Sequence, residues 1–283
     1  MSFAVESTPL AQALIQLALL EDAPGGDLTS NLTIPPDAQA LGIARAKEPG
    51  VLAGVGMMRA VFHAVDPAAV FSAQTQDGET FSPGAEIARV QGDARAILAA
   101  ERTALNFVQL MSGIATATAR YVDAVKPLPA RVVDSRKTIP GWRILSKYAV
   151  RMGGGQNHRF NLSDGVLIKD NHIAVAGGVA KAVNAARKHA PHTTRIEVEV
   201  ETLEQLREAL DAKADIVLLD NMDAETLKRA VQTADGRALL EASGGVRLDN
   251  IRQIAETGVD IVSTSGMTAG AGAIDIHLKM EMI

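Results

Sequence analysis

Residues 196–220 read IEVEVETLEQLREALDAKADIVLLD. Residues 196–200 alternate apolar and acidic side chains, the period of a strand, whereas residues 203–212 repeat apolar positions at helical spacing and residues 216–219 form a short apolar run. A strand, a helix and a second strand in so short a stretch predict a parallel pair, because a parallel strand is reached only by a crossover. Outward from this unit the pattern repeats. Strands are expected at 131–133, 166–168, 239–242 and 261–264, with helices around 142–151, 179–188, 224–233 and 248–257. Repeated βα units of this kind close toward a barrel, so an incomplete (β/α) barrel is the expected architecture and a doubly wound open sheet the alternative.

Upstream the punctuation changes. Short β-like segments at 41–46, 51–53, 70–76 and 86–90 are separated by Gly, Pro and Asp, with a helix near 57–65. This reads as an α+β, sandwich-like N-terminal domain with a mostly antiparallel sheet, preceded by a helix marked by Leu10, Leu14, Leu17 and Leu20. A long helix over 94–124, interrupted only near Ser112-Gly113, follows it. Residues 274–280 look like a strand that returns to the first module, which sets the expected domains at 1–112 with 270–283, and 113–269.

The composition narrows the function classes. The 283 residues carry a net charge of −5, no Cys and 3% aromatics. Few aromatic faces and an acidic balance argue against a nucleic-acid partner, which wants stacking platforms and a basic surface. Without Cys, thiolate nucleophiles and disulfides are excluded, which is compatible with a reducing compartment. The opening stretch has no basic n-region and no continuous apolar run, so no signal peptide or membrane span is expected and the protein is read as cytoplasmic.

Against that acidic background, residues 131–169 hold eight Lys or Arg and two Asp, a net of +6. A cationic segment in an acidic chain predicts a local anion pocket. Arg143, Lys147 and Arg151, four apart on a helix, read as one exposed helix face. Arg136, Lys137, His158, Arg159 and Lys169 fall instead at turns and strand ends.

Barrel sites are built at the C-terminal ends of the strands, and each expected strand ends on a polar candidate: Ser135, Arg136 and Lys137; Lys169 and Asp170; Glu199; Asp220; Ser243; Ser265-Gly266. On the strand at 196–200 the acids face the barrel interior and the apolar residues the helices. Lys169 and Asp220 are then placed to build a charged network, or a site for a hard cation such as Mg²⁺, with Glu199. Ser243-Gly244-Gly245 and Ser265-Gly266 suit a phosphate cradle, since glycine lets backbone N–H groups approach an anion. The inventory suits a substrate with several carboxylates or phosphates, handled by positioning and electrostatics rather than by a protein nucleophile. A Schiff-base lyase on Lys169 is a rival reading.

The residues just named, with Glu21-Asp22, Gly26 to Ser30, Glu101 to Asn106, Ser135 to Thr138 with Pro140-Gly141, Gly153 to Arg159, Leu167 to His172, Glu197 to Glu201, Leu218 to Asn221, Ser243 to Gly245 and Gly258 to Gly266, closely resemble the quinolinate phosphoribosyltransferase family. The resemblance implies a type II phosphoribosyltransferase-like fold. It also implies transfer of phosphoribose from 5-phosphoribosyl 1-pyrophosphate to the ring nitrogen of quinolinate, with loss of the 2-carboxylate, in de novo NAD biosynthesis. It implies Mg²⁺ as cofactor, held by Glu199 and Asp220, and a quinolinate set of Arg102, Ser135, Arg136, Thr138, His158, Arg159 and Lys169. Arg102 would come from the neighbouring subunit of a homodimer. Lys137, Glu199, Asp220, Ser243, Gly244, Gly245, Ser265, Gly266 and Met267 would meet phosphoribosyl pyrophosphate, with Lys137, Lys169, Glu199 and Asp220 as the catalytic group. Trp142, Met267 and Thr268 to Gly270 depart from the family pattern. A molybdenum-uptake-associated branch of the same fold is the nearest alternative.

Overall fold

The computed structural model describes residues 4–283. In chain order its elements are α1 (Pro9–Asp22), α2 (Leu28–Thr33), β1 (Gln39–Ala46), β2 (Gly50–Val51), α3 (Val55–Val65), β3 (Val70–Ala73), β4 (Thr80–Phe81), β5 (Glu86–Asp93) and α4 (Ala94–Val125). Then follow β6 (Arg131–Val133), α5 (Arg143–Met152), β7 (Val166–Ile168), α6 (Asp170–Ala176), α7 (Val179–His189), β8 (Ile196–Val200) and α8 (Leu203–Asp211). The chain closes with β9 (Ile216–Asp220), α9 (Ala224–Ala234), β10 (Leu239–Ser243), α10 (Ile251–Ala255), β11 (Ile261–Ser263) and β12 (Ile276–Met282). They form two compact units: Met1–Ala119 with Thr138–Gly154 and Gly270–Ile283, and Arg120–Lys137 with Gly155–Ala269. The compact division carries the first unit through Ala119 and groups α5 with it.

In the first unit a four-stranded antiparallel sheet runs in the order β12-β1-β5-β3, with the C-terminal strand paired along β1 from Ala46↔Ile276 to Ala40↔Met282. Helix α3 starts where the Asp77 carboxylate accepts the Gly54 and Val55 N–H groups at 3.0 Å, an N-cap supplied from a distant loop. The Tyr148 hydroxyl donates to the same carboxylate at 2.7 Å.

Two expectations fail here. Helix α4 is continuous through Ser112-Gly113. The Ser112 hydroxyl exchanges hydrogen bonds with the Ala53 backbone, and a Cβ at Gly113 would lie 1.8 Å from the Gly272 carbonyl oxygen, so this pair serves close packing rather than a helix break. Lys147 is fully buried instead of sharing an exposed face with Arg143 and Arg151, because α5 packs against α1 and the 3-10 turn Val5–Ser7.

In the second unit six parallel strands run in the order β6-β11-β10-β9-β8-β7. From β7 the neighbours follow chain order through β11 and then reach β6, with no reversal of direction. A doubly wound sheet would show such a switch point, so the sheet is an open barrel. Its two edge strands are β6 and β7, and the segment after α5 runs along β6: Gln156 bridges Val133, and the Gln156 N–H donates to Val132 O at 2.9 Å.

On β8 the residues Ile196, Val198 and Val200 are at most 1% exposed and pack toward α7 and α8. Each such burial contributes about 1.5–3 kcal/mol, and the resulting register turns Glu197 and Glu199 to the other face. The chain leaves β8 into α8 through a capping box, in which the Thr202 hydroxyl accepts from Gln205 N–H and Gln205 Oε1 from Thr202 N–H.

Candidate active site

The ends of the six parallel strands surround a cavity of about 730 Å³ lying wholly within the second unit. That size suits a small ligand. Ser135, Arg136 and Lys137 enter it after β6, Lys169 after β7, Glu199 from β8, Asp220 from β9, Ser243 from the end of β10 with Gly244 and Gly245 after it, and Ser265 after β11. His158 and Arg159 come from the segment beside β6. The buried Asp134 holds that segment: its carboxylate accepts from His158 N–H at 2.8 Å and from Asn157 Nδ2 at 2.9 Å.

The cations are arranged for an anion. Arg136 Nε and Arg159 Nε are buried and find no hydrogen-bond partner among the described residues. Burial, and next the Arg136 guanidinium, lowers the pKa of Arg159. Two like charges beside each other with unused donors are what a carboxylate-bearing ligand would satisfy, since a guanidinium fork matches a carboxylate. Arg159 Nη1 donates to Gly165 O at 2.9 Å, which fixes its reach.

Opposite them, Lys169 Nζ is ion-paired and hydrogen-bonded to Glu199 Oε2. The Lys169 backbone N–H donates to His172 Nδ1 at 2.9 Å. An ion-paired, half-exposed lysine is not the desolvated amine that Schiff-base chemistry uses. Asp220 Oδ2 accepts from Asn221 Nδ2 at 2.7 Å. A Cβ at Gly244 would lie 2.2 Å from Asn221 Oδ1, and Gly244 has a φ of +89°, so only glycine fits the turn that brings Ser243 to Gly245 beside Asp220. Glu199 and Asp220 are hard oxygen donors on adjacent strands at the cavity, the donor type that Mg²⁺ takes with few protein ligands.

Below this rim the expected site residue His158 meets two acids, Glu197 and Glu241, that the sequence reading did not place in the site. His158 Nε2 is 3.2 Å from Glu197 Oε2 and 3.7 Å from Glu241 Oε1, with both acids buried. His158 Nδ1 accepts the Arg159 N–H at 2.7 Å, so both ring nitrogens have partners inside the protein. Burial, then the Glu197 charge, pushes the Glu241 carboxyl up to about 7. The signal for Glu241 was an acid inside an apolar strand, Leu239-Leu240-Glu241-Ala242. Asn221, Val246, Arg247 and Thr264 also border the cavity.

Four expected site residues do not line it. Gly266 and Met267 lie in the following turn, with Met267 fully buried. Arg102 and Thr138 belong to the first unit, where Arg102 is exposed on α4 and the Thr138 hydroxyl accepts from Arg143 Nε at 3.3 Å.

An open parallel barrel with paired guanidiniums, strand-end carboxylates and glycine turns at one mouth defines a barrel enzyme for small polyanionic substrates. The chain belongs to the quinolinate phosphoribosyltransferase family: residues 27–112 match the model "Quinolinate phosphoribosyl transferase, N-terminal domain" and residues 114–279 its C-terminal domain. It is 40% identical to "Quinolinate phosphoribosyltransferase [decarboxylating] 2b, mitochondrial" of Nicotiana tabacum, over 95% of this chain and 81% of that one. It is likewise 40% identical to the "Probable nicotinate-nucleotide pyrophosphorylase [carboxylating]" of Synechocystis sp., over 94% and 91%. The crystal structure of NadC from Streptococcus pyogenes superposes with a TM-score of 0.94 at 40% identity, covering 98% of both chains.

Proposed function

We propose that this protein transfers phosphoribose from 5-phosphoribosyl 1-pyrophosphate to the nitrogen of quinolinate, giving nicotinate mononucleotide, pyrophosphate and CO₂, a step of de novo NAD biosynthesis. The observation that carries the reading is the Arg136–Arg159 pair, with its unused buried Nε donors, facing Lys169, Glu199 and Asp220 in one cavity. Quinolinate is a dianion, and two guanidinium forks with Lys169 grip its carboxylates. The pyridine nitrogen is itself the nucleophile, so the protein needs to hold it in line with the anomeric carbon and to face the positive charge that develops there. Glu199 and Asp220 are placed for that charge and for the ribose hydroxyls, Lys137 for the departing pyrophosphate, and Ser243 to Gly245 with the Ser265 turn for the 5-phosphate.

Glu199 and Asp220 are also the residues that would hold Mg²⁺, directly or through water. When bound, the ion neutralises charge on the pyrophosphate. His158, whose two ring nitrogens meet Arg159 N–H and Glu197, orients the quinolinate grip from below. Incubation with quinolinate, phosphoribosyl pyrophosphate and Mg²⁺ should yield CO₂ and nicotinate mononucleotide in equal amounts. Failure with both substrates saturating counts against the reading.

The reading includes a homodimer in which Arg102 of one subunit completes the quinolinate grip of the other, and a cytoplasmic setting. No helix among the described residues is long and apolar enough to cross a membrane. Inactive Arg102→Ala and Lys169→Ala proteins, mixed under conditions of subunit exchange, should regain part of the activity, since a mixed dimer then holds one intact site. Absence of recovery despite demonstrated exchange argues against the shared grip.

A further inference from the structure

The reaction proposed above, on which this inference rests, leaves an electron pair on ring carbon 2 when CO₂ departs. The product carries hydrogen at that carbon, so an acid must deliver a proton inside the cavity. We propose that the Glu241 carboxyl, at the floor of the cavity, is that acid.

Glu241 projects from the middle of β10 and is 3% exposed. It borders the substrate cavity above and a second cavity of about 490 Å³, which reaches Arg131, Arg195 and Ile216 at the opposite ends of the strands. The groups that face it are Glu197 from β8, His158 from the segment beside β6, Arg131 from β6 and Ser263 from β11. Arg159, which holds substrate carboxylates in the reading above, borders both cavities as well. A substrate carboxylate held by Arg159 therefore lies next to this floor.

Glu197 Oε1 and Glu241 Oε1 are both buried without a hydrogen-bond partner among the described residues. Two neighbouring buried carboxylates resist ionising together, and a proton on Glu241 gives its unused oxygen a role. Burial, and next the Glu197 charge, accordingly keep the Glu241 proton to about pH 7. Lys137 and Lys169 sit at the rim among the strand ends, whereas Glu241 lies within its strand.

The same three side chains, His158, Glu197 and Glu241, bring one ligand atom each within 4.8 Å of one another, as in a cation site. The imidazole argues otherwise. His158 Nδ1 accepts the Arg159 N–H at 2.7 Å, which assigns the ring hydrogen to Nε2, where it points at Glu197. An Nε2 that carries hydrogen has no lone pair for a metal, which argues against a cation here.

The step balances as follows. The bond from carbon 2 to its carboxylate breaks, the pair stays on carbon 2, and CO₂ leaves. The Glu241 O–H bond breaks, the proton forms the new C–H bond, and a Glu241 carboxylate remains opposite Arg131 and His158. Solvent reaching the second cavity restores the proton, so one solvent proton is consumed per turnover. Without the acid the carbanion recaptures CO₂ before it escapes.

The test is Glu241→Gln, isosteric and unable to deliver a carboxylic proton, in single-turnover rapid quench with pyrophosphate and CO₂ measured separately. Pyrophosphate release should stay within about twofold of wild type. CO₂ release should slow by roughly 100-fold or more, the scale of general acid catalysis, with quinolinate mononucleotide accumulating. CO₂ release by the wild type should also decline as pH rises through about 7, and this limb should vanish in the variant. CO₂ that keeps pace with pyrophosphate in E241Q overturns the assignment. If E241Q does not fold, wild-type CO₂ release with no alkaline decline near pH 7 overturns it equally. A wild type that forms no nicotinate mononucleotide overturns the parent reading and this one with it, whereas an active wild type beside an unaffected E241Q removes this one alone.

Discussion

Glu199 and Glu197 stand one pleat apart on the same face of β8, yet they live in different electrostatic worlds. At the rim, Glu199 meets the Lys169 ammonium beside open solvent. On the floor, Glu197 meets a second acid and a histidine whose ring nitrogens both have protein partners. The difference teaches that strand position alone does not decide what a barrel carboxylate can do. The rim acid is matched by a cation and faces substrate charge, whereas on the floor burial and the neighbouring Glu197 charge push the Glu241 carboxyl up.

That contrast can be broken most sharply at the cations of the rim. Arg136→Ala should weaken quinolinate binding by about 30- to 5,000-fold, since loss of one partner of a desolvated charge pair costs about 2–5 kcal/mol. The fold should survive, because Arg136 Nε has no partner among the described residues. Calorimetry checks this, and wild-type affinity would remove Arg136 from the grip.

Glu199→Gln comes next. Loss of one preorganised electrostatic contact in a transition state lowers kcat by about 10²-fold or more, and steady-state kinetics should show the KM for quinolinate nearly unchanged. A rise in KM with kcat intact would make Glu199 a ground-state ligand instead.

The smallest expected effect is on stability. The Glu241 carboxyl is raised to about 7 from an ordinary value of 4.5, so between these pH values the folded state binds more protons than the unfolded one. Stability from this group is complete below the ordinary value and is lost as pH rises through about 7. The Tm of the wild type should therefore fall from pH 5 to pH 8 relative to that of E241Q. Parallel Tm curves would show that the Glu241 carboxyl is not raised.

The parallel half was legible because its signals are local. Alternation in residues 196–200, apolar runs at the other strands and a polar residue after each run placed the barrel and nearly every rim residue within one or two positions. Signals that depend on distant partners were not legible. Ser112-Gly113 looks like a helix break until the Gly272 carbonyl is found against Gly113, and Lys147 looks like a surface lysine until α5 is seen packed against α1 and the Val5–Ser7 turn. Helix α10 spans only Ile251–Ala255 rather than 248–257, since the Arg247 and Asn250 backbone and side chains are committed to a turn.

The amino-acid sequence by itself settled the order of strands and helices, the clustering of cations against an acidic background, and the family, because periodicity and motif spacing are properties of neighbours along the chain. Only the tertiary structure decided which acids meet a cation and which lie against another acid. Glu197, Glu241 and His158 are far apart in sequence, and the raised pKa of Glu241 is set by burial and by charges brought through space, which no stretch of chain contains.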